Sequence, residues 1–169
     1  MKTLKLLPLL LALLLLAASA LAEAPTAAEI GREAPDFELT QLDGETFRLS
    51  EHRGKVVLLN VWATWCPPCV AEMPDIQALS ENYPDDLTVI GVSVDTDPAV
   101  VEEFIAENGY TYRFAMDTAD WLIASQLYPT AGIPESVFIN ADGTVTDIII
   151  GAFRDYETLE QAYLSARSE

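Results

Sequence analysis

Cys66 and Cys69 are the only cysteines in a chain of 169 residues, and two positions separate them in Trp65-Cys66-Pro67-Pro68-Cys69. A pair so spaced can be a permanent staple, half of a metal site or a redox couple. A structural disulfide framework in a small secreted domain normally uses four or more cysteines. A zinc site wants two further ligands, yet there is no third cysteine and His52 is the only histidine. Redox exchange is what remains. It needs one reachable sulfur that is a thiolate at working pH, and a second sulfur that releases the mixed disulfide.

The elements around the pair assign those roles. Gly54-Lys55 precede Val56-Val57-Leu58-Leu59-Asn60-Val61-Trp62-Ala63, a continuous apolar run expected of a strand buried on both faces. Pro67 to Asn82 then carries helical spacing at Val70, Met73, Ile76 and Leu79. Cys66 therefore stands at a strand's carboxyl end and a helix's start, where free backbone N–H groups and the helix dipole favour a thiolate. A cysteine so placed can fall from about 8.5 to between roughly 3.5 and 7.5. Cys69 lies one turn deeper, able to close the ring but harder to reach. Cys66 is thus the expected nucleophile and Cys69 the resolving thiol. Pro67 and Pro68 have no N–H, which withdraws donors from the thiolate and favours a reductant over an oxidant.

The remaining elements read as follows. Phe37 to Leu39 and Thr46 to Leu49 alternate around Asp43-Gly44, a hairpin signal. Leu87 to Val94 is a second buried strand. Pro98 to Asn108 is a helix opened by Asp97 and Pro98 and closed by Gly109. Tyr112 to Met116 predicts a short strand and Trp121 to Leu127 a short helix. Ser136 to Ile139 and Thr144 to Ile150 are strands around the Asp142-Gly143 turn, and Tyr156 to Ala166 is a last amphipathic helix. This order predicts an α/β fold, a mixed sheet with helices on both faces. Ligand chemistry in such sheets gathers at the strands' carboxyl ends, where the cysteines are.

Lys2 and Lys5, the apolar run Leu6 to Ala18 and the close Ala20-Leu21-Ala22 read as a secretory signal over residues 1–22, cleaved or kept as an anchor. Residues 23–33 are small, polar and acidic and read as a flexible leader, leaving 34–169 as one domain. The whole chain carries 9 basic and 27 acidic residues, a net charge of −18; losing Lys2 and Lys5 makes it −20. Such a surface repels nucleic acid and anionic membranes. The expected setting is extracytoplasmic.

Val57-Leu58-Leu59-Asn60-Val61-Trp62-Ala63-Thr64-Trp65-Cys66-Pro67-Pro68-Cys69 resembles the thioredoxin superfamily. The following Val70-Ala71-Glu72-Met73-Pro74 narrows the resemblance to the exported TlpA/ResA/CcmG-like thiol–disulfide oxidoreductases. It covers about Glu33 to the C-terminus and implies a thioredoxin-like mixed sheet with an N-terminal β-hairpin and a central βα-type insertion. Gly132-Ile133-Pro134-Glu135-Ser136 resembles the family's cis-proline loop, which implies a cis Ile133–Pro134 bond beside the cysteines and an Ile133 backbone that pairs with substrate. Trp65, Pro67, Pro68, Ile133 and Pro134 would then form the substrate-binding surface. Glu72, one turn beyond Cys69, matches the acidic residue that tunes the thiols and accepts a proton. Asn60 stands where cytosolic thioredoxins carry a buried aspartate. Glu135 takes a place where many relatives have threonine. Pro74 matches the superfamily's helix-kinking proline.

The resemblance implies a protein disulfide reductase that meets disulfide-containing extracytoplasmic proteins, apocytochrome c among the candidates, and is re-reduced by a membrane-borne thiol donor. The two sulfurs are the redox centre, so no metal or other cofactor is expected. Rival readings are a disulfide-forming oxidant of the same fold, a peroxiredoxin-like peroxidase and a copper-binding module. Peroxiredoxins resemble one another in a threonine three residues before the reactive cysteine, where this chain has Ala63; a copper module would want a histidine downstream of Cys69, and there is none. Trp62 and the pair Trp121 and Tyr128 read as core, and His52 as a solvated loop residue.

Overall fold

The computed structural model describes residues 27–117 and 121–168. The expected signal segment lies outside them. Where the sequence reading places a leader, residues 28–33 are tied to the domain by backbone bonds: Ala28 N–H donates to Leu127 O at 2.7 Å, Gly31 N–H to Val145 O at 2.7 Å, and Val145 N–H to Arg32 O at 2.9 Å.

β1 (Glu38–Thr40) and β2 (Thr46–Arg48) pair antiparallel, as the alternation around Asp43-Gly44 predicts. The main sheet has five strands, β3 (Val56–Trp62), β4 (Leu87–Ser93), β5 (Arg113–Met116), β6 (Glu135–Ile139) and β7 (Val145–Ile150), in the order β5-β4-β3-β6-β7. β3, β4 and β5 run parallel, while β6 and β7 are antiparallel to their neighbours. Every residue of β3 and of β4 is buried, which is why both appear in the sequence as unbroken apolar runs. The hairpin closes the β5 edge: Leu42 N–H donates to Phe114 O at 2.9 Å.

Helices α1 (Pro67–Asn82), α2 (Pro98–Asn108) and α3 (Tyr156–Ser168) flank the sheet. α1 buries Cys69, Glu72, Met73, Ile76 and Leu79, a single stripe at helical spacing, and Pro74 lies inside it without ending it. α2 starts with the Asp97 carboxylate accepting from Ala99 N–H at 3.0 Å and stops at Gly109, whose φ of 72° suits glycine. No described helix is long and apolar enough to cross a membrane.

Trp62 anchors the core between Phe104 of α2 and Phe114 of β5, with ring centroids 5.7 and 5.8 Å away. Gly91 in β4 makes room for this cluster. A Cβ there would meet Phe114 at 3.0 Å and the Trp62 indole nitrogen at 3.1 Å.

Two expectations need correction. The helix at Trp121–Leu127 is a π-helix over Leu122–Leu127, in which Tyr128 N–H reaches Ile123 O at 2.8 Å. The Asp117 carboxylate accepts from Ile123 N–H and Ala124 N–H and fixes its first turn. Trp121 precedes it in a left-handed conformation (φ 56°) and is 45 % exposed, so it is not core; Tyr128 is, with its hydroxyl donating to Pro35 O at 2.7 Å. His52 is half-buried instead of solvated. The short 3-10 turn Leu49–His52 folds it back so that its ring stacks on Phe47 at 4.5 Å, and burial, aided by Arg113, lowers its pKa.

Candidate active site

β3 delivers the chain to the sheet's carboxyl edge at Trp62, and α1 begins five residues later. Cys66 is the N-cap of α1, in extended conformation, with Pro67 and Pro68 opening the helix. Cys66 and Cys69 are joined as a disulfide, their Cα atoms 5.3 Å apart. Cys69 N–H donates to the Cys66 sulfur at 3.3 Å. An N-cap side chain ordinarily accepts from the second or third helical N–H. Here the second belongs to Pro68 and does not exist, so Cys69 supplies the donor.

Cys66 is 4 % exposed and Cys69 fully buried. The nucleophile expected to be reachable is therefore nearly closed over in the disulfide state, although it remains the more accessible of the two. Trp65, 66 % exposed, and the exposed Pro67 and Pro68 surround it as an apolar rim. The Ile133–Pro134 bond is cis, Pro134 is buried, and the Ile133 carbonyl oxygen lies 3.8 Å from the Cys66 sulfur. The loop before β6, distant in sequence, thus meets the cysteines at one end of the sheet.

Three residues beyond Cys69 on α1, Glu72 is 2 % exposed. Its Oε1 accepts from the Asn60 amide at 3.0 Å and its Oε2 from Phe153 N–H at 3.0 Å. Asn60 also donates to Ser136 Oγ at 3.1 Å, joining β3, α1 and β6 through one buried amide. Burial raises the Glu72 pKa from 4.5 to about 7, against the opposing pull of the two hydrogen bonds. Near neutrality the group is poised to take or give a proton.

Of the residues that the sequence reading assigns to the site, Cys66 and Cys69 are bonded to each other and the Ile133–Pro134 loop lies against Cys66, while Glu72 bonds Asn60 and Phe153 and makes no hydrogen bond to either sulfur. The sequence reading noted Glu135 without giving it a part in the site, and it missed Asp95. Glu135, next to Pro134, is a second buried carboxyl whose Oε2 has no partner, and burial raises its pKa. Asp95, just past β4, accepts three hydrogen bonds from Thr64 and Ser93 at the turn leading into Trp65-Cys66. The available signal for Asp95 was its position, a polar residue immediately after a buried strand that ends at the same edge as the sulfurs. Among the described residues, no group of three or more His, Cys, Asp or Glu could hold a metal ion.

Comparison with known proteins adds names to this geometry. A profile of the Redoxin family matches residues 29–163. The thiol-disulfide oxidoreductase ResA of Geobacillus kaustophilus (strain HTA426) is 38 % identical over 127 residues, covering 75 % of this chain and 72 % of that protein. Among solved structures, a thiol:disulfide interchange protein of the thioredoxin family from Chlorobium tepidum TLS has a TM-score of 0.71 at 28 % identity, covering 85 % of this chain and 97 % of that one. A secreted Mycobacterium tuberculosis disulfide oxidoreductase, described as homologous to E. coli DsbE, has a TM-score of 0.68 at 27 % identity, with 76 % and 95 % covered.

Proposed function

The chain belongs to the Redoxin family and is a thiol–disulfide oxidoreductase, and from that premise we propose that it reduces disulfides in extracytoplasmic proteins. The observation that carries the direction is the Cys66 cap. Two prolines open α1, so the sulfur receives a single backbone N–H, from Cys69. A thiolate with few donors is weakly stabilised, and a weakly stabilised dithiol gives up its electrons readily.

The reaction runs in two exchanges. The Cys66 thiolate attacks one sulfur of a substrate disulfide; that bond breaks, a mixed disulfide forms and one substrate thiolate leaves. Cys69 then loses its proton and attacks the Cys66 sulfur, releasing the second substrate thiol and closing the Cys66–Cys69 bond. Two electrons have passed to the substrate. Glu72, with a pKa of about 7, is the proton acceptor for the buried Cys69. Trp65, Pro67, Pro68 and Ile133 form the surface against which an extended substrate segment lies. The two sulfurs are the whole redox centre.

The secreted relative supports an extracytoplasmic site of action, as does the signal-like residues 1–22. There a membrane-borne thiol donor re-reduces the pair, and apocytochrome c is one disulfide substrate of fitting chemistry. Equilibration with dithiothreitol and glutathione buffers tests the direction. A potential below roughly −250 mV supports a reductant, and one near about −120 mV identifies an oxidant instead.

A further inference from the structure

We propose that Asp95 is the positioning residue of the reactive turn, the clamp that holds Cys66 in place once the disulfide is open. This rests on the Cys66–Cys69 couple being the redox centre, and the test below is independent of the direction in which the couple works.

The β3–β4 ladder ends one residue past β4, where Val94 N–H donates to Trp62 O at 2.9 Å. Asp95 takes over at that point. Its Oδ2 accepts from Thr64 N–H at 2.9 Å and from Ser93 Oγ at 2.7 Å, and its Oδ1 accepts from Thr64 Oγ1 at 2.8 Å. Its own N–H returns a bond to Ser93 Oγ at 3.0 Å. Thr64 begins the turn that Trp65 and Cys66 complete, closed by Cys66 N–H to Ala63 O at 3.2 Å. An aspartate at this place could have been the cap of α2, but Asp97 does that work. All three bonds that the Asp95 carboxylate accepts fix the loops at the carboxyl edge, and two of them come from the reactive turn itself.

In the oxidised protein the Cys66–Cys69 bond anchors the turn covalently. Reduction removes that anchor. Cys66 O still accepts from Val70 N–H at 3.1 Å, which ties the residue to α1, and the Thr64–Asp95 bonds fix the turn on its other side, so that together they keep the sulfur near Cys69 N–H and the Ile133 carbonyl. Ring closure is favoured in proportion to how well the two thiols are already held together. Asp95 therefore sets the equilibrium between dithiol and disulfide, though it touches neither sulfur.

Asp95→Ala removes every bond; Asp95→Asn removes the charge and keeps the contacts, because its amide can donate to the Thr64 hydroxyl while its oxygen accepts from Thr64 N–H and Ser93. The full chain is equilibrated against glutathione buffers, and the ratio of dithiol to disulfide is read by mass after acid quench and alkylation. The Asp95→Ala equilibrium moves about tenfold toward the dithiol, and that of Asp95→Asn stays within about twofold of the parent. An unmoved Asp95→Ala protein overturns the proposal, as does Asp95→Asn matching it, because charge and not the clamp would then be acting. Should Asp95→Ala not fold, Thr64→Val deletes only the hydroxyl bond and is expected to move the equilibrium two- to threefold in the same direction; no movement there overturns the proposal equally. The equilibrium is readable even if the protein cannot reduce insulin, so the two failures are distinguishable.

Discussion

Glu72→Gln separates the titration of the buried carboxyl from its packing. The neutral amide has the same shape, its oxygen can still accept from Phe153 N–H, and rotation of the Asn60 amide lets the unpaired Asn60 Oδ1 accept from the new N–H group. What the substitution removes is the proton. Glu72 shifts from 4.5 to about 7 on folding, with burial as the main cause. Below pH 4.5 both states carry the proton and nothing differs. Between there and neutrality the unfolded chain releases it while the folded chain holds it, so stability falls as pH rises. At 1.36 kcal/mol per pKa unit the loss amounts to about 3 kcal/mol. Urea unfolding of the oxidised protein, run at about pH 4 and pH 8, reads this as a difference of differences: the variant gains about 3 kcal/mol on the parent across that window. The other carboxylates cancel because both proteins share them. A variant-to-parent difference that stays constant within about 0.5 kcal/mol refutes the reasoning, because Glu72 would then titrate alike in both states.

Two further substitutions probe the cap and the core. Pro68→Ala restores the second helical N–H, giving the Cys66 thiolate another donor. Its pKa, followed by thiolate absorbance near about 240 nm, should drop by about one unit, and the couple should become less reducing; an unchanged titration means that the missing donor does not govern the poise. Gly91→Ala drives a methyl against Phe114 and Trp62, 3.0 and 3.1 Å away, and should cost about 1–3 kcal/mol in urea unfolding. An unshifted midpoint would show that the cluster has slack the distances do not suggest.

Much of this architecture was legible because burial leaves a mark in the sequence. β3 and β4 are covered on both faces and so read as apolar runs, and the limits of α2 follow from Asp97, Pro98 and Gly109, each placed for a local reason. Asn60 drew notice through the resemblance, standing where cytosolic thioredoxins carry a buried aspartate, and the structure supplies its partners in Glu72 and Ser136. The misreadings share a cause. Trp121 has the composition of a core residue, but the left-handed turn that sends it outward depends on the loop's backbone and on the Asp117 carboxylate, which no periodicity encodes. His52 looked like any loop histidine until the turn after β2 laid its ring on Phe47. Asp95 is invisible to propensity altogether: its importance comes from two strands ending side by side, and that is a property of the sheet.

The most direct examination of the central claim is a trapping experiment on the full chain. Reduced Cys69→Ser protein, mixed with insulin or another disulfide protein near neutral pH, should accumulate a mixed disulfide that maps by mass to Cys66, and the converse Cys66→Ser protein should accumulate none. Trapping through Cys69 alone, or no trapped species with either variant while the parent still reduces insulin, would contradict the assignment of Cys66 as the attacking sulfur.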